Sequence, residues 1–177
     1  MRKAIWFSVV VCCAGCWMRA ERQMAERVET MESHLEAWFD GLDAGARGDD
    51  AAVRDALARL SKGGELPGRD LAEPLAVLHG RATALKKVDA AERAAGLVGL
   101  SADCAMCHTG QGHTTPPRFE AETPLQRAGA ALLWHDAALW SRASAELRGQ
   151  GWAVPEGADW GARRAALGTA LASAPAR

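Results

Sequence analysis

The chain has 177 residues, 49% of them hydrophobic, with 21 basic and 22 acidic side chains and a formal net charge of −1. That is a one-domain length with ample apolar material for a core, and it excludes the basic field by which proteins attract nucleic acid. Seven tryptophans accompany no tyrosine, and flat apolar rings suit a wall around a large planar ligand.

The N-terminus has the shape of a secretory signal. Arg2 and Lys3 precede an apolar run at 5–11, which is followed by Cys12-Cys13-Ala14-Gly15-Cys16. The run is too short to span a bilayer as a helix. Residues 13–16 resemble a bacterial lipobox, in which small residues precede a cysteine that is lipidated and becomes the first residue of the mature chain. The resemblance implies a signal peptide over 1–15, lipidation at Cys16, a tether over 16–20 and a lipid-anchored protein on the periplasmic side. Trp17 stands where an aspartate would resemble the inner-membrane retention signal, so the likeness points to the outer membrane. An ordinary signal peptide cleaved nearby is the alternative. Cleavage before Cys16 would remove Cys12 and Cys13, and lipidation would use Cys16. Of the five cysteines only Cys104 and Cys107 then remain as thiols.

The rest reads as all-α, because Ala, Leu, Glu and Arg dominate and β-branched runs are absent. A first helix over 21–47 places Met24, Val28, Met31, Leu35, Trp38 and Leu42 at alternating steps of four and three, one face of a long bundle helix. Gly48-Asp49 ends it and offers Asp49 as N-cap for a short helix over 50–60. A turn-rich stretch leads to a third helix from about 70, with Leu71, Leu75, Leu78, Ala82 and Leu85 inward, running on toward Gly96 and Gly99, where it kinks. Ser101 and Asp103 are candidate caps for a short helical segment, and a loop follows. Thr123-Pro124 has the N-cap and N1 chemistry to open a fourth helix reaching about Arg148. A shorter fifth spans 159–172, and 173–177 is a frayed tail. Four main helices joined by short loops, plus the short C-terminal one, predict an antiparallel helical bundle over 21–172.

One cluster carries chemistry. Cys104-Ala105-Met106-Cys107-His108 has the CxxCH form of c-type haem attachment. Thiols three apart on a helical turn share a face and can add to two vinyl groups along one edge of a haem. The next residue, His108, then turns its imidazole toward the iron as proximal ligand. A hydrogen bond from its other ring nitrogen would set its strength. Three rivals use the same residues. A thioredoxin-type dithiol would want alternating strands and helices. A zinc site could combine Cys104, Cys107, His108 and His113, although ligands at adjacent positions strain a tetrahedron. Chance occurrence is the third. The export signal favours haem, which is attached outside the cytoplasm by a maturation machinery.

The chain at this point resembles a c-type cytochrome carrying one covalent haem c. All five methionines (Met1, Met18, Met24, Met31 and Met106) precede His108, so the arrangement with a downstream methionine ligand is excluded. The better likeness is to helical-bundle cytochromes of the cytochrome c′ type. There the motif closes an alanine-rich helix, as "DAAERAAGLVGLSADCAMCHTG" does here. It covers about 21–110. The chain then continues to Arg177, so the resemblance implies a cytochrome c′-like bundle of altered topology.

The second iron ligand decides the function such a haem would have. His34, on the flank of the first helix's apolar face, is the leading candidate, beside Met31, His79, His113, His135 and no protein ligand at all. An occupied position gives a single-electron carrier serving a redox protein partner; an open one gives a five-coordinate haem that binds or senses nitric oxide or carbon monoxide. A structural lipoprotein with an idle motif is the third reading. No phosphate loop, nucleophile elbow or metal triad suggests an enzyme.

Overall fold

The fold, given by a computed structural model, is all-α, with no strand among the described residues. The structure describes the backbone of residues 2–62, 69–110, 121–156 and 159–174, and the side chains of 21–62, 72–106, 121–156 and 159–174. Among the described residues eight helices follow in order: α1 Arg2–Ala46, α2 Asp50–Leu60, α3 Arg69–Leu85, α4 Ala90–Gly99, α5 Ser101–Gly110, α6 Pro124–Trp134, α7 Ala137–Gly149 and α8 Trp160–Ala172. Among the described residues no helix is long and apolar enough to cross a membrane.

The long apolar stripe of α1 divides in two. Leu35, Trp38 and Leu42 are buried, while Met24 and Val28 are 55% and 47% exposed. Burial begins at His34 and runs to the helix end, where α2, α4, α6 and α8 pack against α1. Periodicity marks the face that could be buried; the extent of the opposing surface decides how much of it is. At the far end Gly48 turns with φ 69°, and the Asp49 carboxylate accepts from Ala52 N at 3.0 Å to cap α2.

The expected third helix is two helices, and the break comes earlier than Gly96. It falls after Leu85, with Asp89 capping α4 through Glu92 N at 2.9 Å. Arg93, fully buried, closes the corner. Its guanidinium donates to the carbonyl of Leu85 at 3.1 Å, to that of Val88, and to the carboxylate of Asp50 on α2. It thus satisfies carbonyls that the end of α3 leaves open. Burial raises the Asp50 pKa, but hydrogen bonds from Arg54 and Arg93, with their charges, outweigh it, and the carboxyl lies below its ordinary range. Gly96, expected at a kink, leaves the space that Leu85 fills.

The fourth expected helix is also two. His135 takes a left-handed conformation with φ 51° after α6, and Asp136 starts α7 by accepting from Leu139 N at 2.9 Å. The N-cap preference of Asp136 overrides a continuous periodic run. The start of α6 is as read from sequence: Thr123 and Gln126 form a capping box, and both also donate to Asp43 of α1, at 3.2 and 2.7 Å. Asp159 caps α8 through Ala162 N at 2.8 Å.

One apolar cluster joins all of these elements. At its centre Trp38 donates its indole N–H to the carbonyl of Leu97 at 2.8 Å, and its ring lies over Gly129 of α6. A Cβ at Gly129 would stand 2.8 Å from that ring, so only glycine admits this approach.

Candidate functional site

The cysteine–histidine cluster lies on α5. Cys107 and His108 are on the same helix as Cys104, three and four positions further on; their side chains, like those of His113 and Cys16, lie outside the described ones. Two ties from opposite sides position α5. Arg81 of α3 grips Asp103 with one nitrogen on both carboxylate oxygens, at 2.7 and 2.9 Å. The Asp103 side chain is only 3% exposed, so the carboxylate is largely removed from water at the neighbour of Cys104. This is the work of Asp103, rather than capping. On the other side Arg164 of α8 donates to the buried Ser101 hydroxyl at 3.0 Å and to the carbonyl of Leu132 at 3.2 Å. Burial draws the Arg164 pKa down and the Asp103 charge opposes it.

Cys104 faces a cavity of about 40 Å³ between α1, α3 and α5. Its walls include Met31, His34 and Trp38 of α1, Leu78 of α3, and Asp103 beside Cys104. The walls are mostly apolar, and Trp38 supplies the flat indole surface that the tryptophan content suggests. His34 and the Arg81-paired Asp103 are the polar exceptions; His34 is the one without a partner. It is 6% exposed, and neither ring nitrogen has a hydrogen-bond partner. Burial first, and the neighbouring His79 second, lower its pKa from 6.5 to about 4. At neutral pH it is therefore an uncharged imidazole with a lone pair, the form in which histidine binds metals. His79 of α3 stands edge-on to it, ring centroids 5.4 Å apart. Its Nε2 is also buried without a partner, and burial lowers its pKa.

Of the other candidates, Met31 lines the same cavity. His135 is engaged elsewhere: its ring stacks on Trp160 at 5.0 Å and its Nε2 lies 2.9 Å from Arg164. Burial and the Arg164 charge lower its pKa. Arg163 sits over the rings of Trp160 and Trp140, at 4.2 and 5.6 Å, so these two tryptophans serve a cation–aromatic stack rather than the cavity wall. His79, one of the sequence candidates, lies on the stretch of chain leading to the motif. The separation of α3 from α4 turns that stretch back and brings His79 beside His34. Among the described residues no group of three or more His, Cys, Asp or Glu side chains is placed to hold a metal ion.

The donor set fits a haem: three buried imidazole nitrogens without a partner, a cysteine of the CxxCH motif, and apolar walls that would cover a porphyrin face. At about 40 Å³ the cavity has room for only a few waters. A porphyrin would need the helices around this cavity to part further than they do here. No family model, no curated protein and no solved structure matches the chain.

Proposed function

We propose that this chain is an exported c-type cytochrome with one covalent haem, transferring single electrons to and from a protein partner. The proposal includes lipidation at Cys16, anchorage at the outer membrane from the periplasmic side, and a bundle of the cytochrome c′ kind with altered topology. The observation that carries the reading is His34. An imidazole with both nitrogens buried and unpartnered costs stability, and it lines the same cavity as Cys104 of the CxxCH motif. Such a cost is understandable where a metal is to be bound.

A bound haem would supply a one-electron iron couple. The chain's residues would do the rest. Cys104 and Cys107 would each add S–H across a vinyl double bond, which forms a thioether with no leaving group and no oxidant. His108 and His34 would be the residues that hold the iron. Leu78 and Trp38 would keep water from the ring. Asp103, neutralised by Arg81, would fix the start of α5 so that the attachment residues keep their place.

A pyridine haemochrome assay and intact-mass measurement on the matured protein test this. A covalent haem with a low-spin ferric signal is the expected result. An unmodified polypeptide would sink the proposal. Covalent haem with a high-spin signal and rapid, complete carbon monoxide binding would replace electron transfer by the five-coordinate, gas-binding function.

A further inference from the structure

The two histidines at the cavity present three buried nitrogens without partners: both of His34 and Nε2 of His79. Their rings are already in edge-on contact at 5.4 Å. Asp103 lines the cavity too, but Arg81 takes both of its oxygens. A neutral imidazole has one N–H and one lone pair. A single hydrogen bond, from His34 N–H to His79 Nε2, would satisfy two of the three nitrogens, and the one left over is the His34 lone pair. His34 lines the cavity, and His79 stands against it from the neighbouring helix. The lone pair would then serve the iron, and the bonded N–H would fix ring orientation and raise the basicity of the ligand, as partners of metal-bound histidines generally do.

From this arrangement we infer that His79 is a positioning residue, the acceptor that orients His34 as the second iron ligand. The inference rests on the haem reading and adds to it a named partner on α3. It also gives a reason for a half-buried histidine whose Nε2 is otherwise wasted.

The test uses the full-length matured protein and three variants, His79→Phe, His79→Gln and His34→Phe, read by ferric electron paramagnetic resonance, reduction potential and carbon monoxide titration of the ferrous form. Phenylalanine keeps the aromatic edge contact and removes the acceptor; glutamine restores one. His79→Phe should remain low-spin, with a raised potential and a carbon monoxide half-saturation about 10-fold lower, because the iron–His34 bond is weakened. His79→Gln should return toward wild type, and His34→Phe should be high-spin. A His79→Phe protein indistinguishable from wild type would overturn the inference, as would a high-spin His79→Phe beside a low-spin His34→Phe, which would make His79 the ligand. Failure of both His79 variants to fold would overturn it as well, by making His79 part of the core. Wild-type protein without covalent haem would remove the haem reading itself, a result distinct from all of these.

Discussion

Replacing His34 by leucine should stabilise the protein made without haem and, on the proposed haem reading, take a ligand from the loaded one. His34 is 6% exposed and both ring nitrogens lack partners. An unsatisfied buried polar atom costs about 1–3 kcal/mol, and fitting a different shape into the wall costs about 1 kcal/mol, so the net gain at pH 7 is about 2 kcal/mol. The pH dependence sharpens the test. The folded-state pKa is about 4 against 6.5, so as pH falls below 6.5 the unfolded chain takes up the proton first. Wild-type stability therefore drops between pH 6.5 and 4. At ~1.36 kcal/mol per pH unit across that gap, the loss is about 3 kcal/mol. Apart from the neighbouring His79, the remaining groups titrate in both proteins alike, so the difference between them reports His34 and that contact: about 2 kcal/mol at pH 7, widening to about 5 kcal/mol at pH 4. Urea unfolding followed by tryptophan fluorescence, on protein made without the maturation machinery, measures both ends. A leucine variant less stable than wild type at pH 7, or two stability curves that stay parallel down to pH 4, would refute the argument that this imidazole is held unpartnered at a cost.

Arg93→Met should lose about 1–3 kcal/mol by urea unfolding, because it leaves the carbonyls of Leu85 and Val88 without their donor, while the partly exposed Asp50 keeps Arg54 as a partner. Gly129→Ala should lose about 1–3 kcal/mol in the same assay, since the added methyl would meet the Trp38 ring and Leu42 at under 3 Å in a packed core. Cys104→Ala, matured with haem, should show the pyridine haemochrome band of a single thioether, and wild type that of two; identical bands would mean that Cys104 takes no part in attachment.

Much of the local structure was legible because it depends on near neighbours. Asp49, Thr123-Pro124 and Asp159 open α2, α6 and α8 through side chains that reach backbone N–H groups within three residues. The breaks after Leu85 and at His135 were not legible. The first is closed by Arg93, whose carboxylate partner Asp50 lies on another helix. The second depends on a left-handed histidine whose ring stacks on Trp160 and meets Arg164 of α8. Periodicity continues through both positions and cannot register a partner so far along the chain. Asp136 and Asp89 were the available signals, each a good N-cap set inside an apparently continuous helix.

The sequence by itself determined the helical class, most helix starts, and the cysteine–histidine spacing on which the haem proposal rests, all of which follow from residues within a turn or two of one another. Only the tertiary structure decided which histidine meets that cluster. His34, His79 and Cys104 come from α1, α3 and α5, and they share a cavity because the corner held by Arg93 and the Arg81–Asp103 pair bring those helices together. The cost of burying an unpartnered imidazole exists only once such an assembly has shut out water.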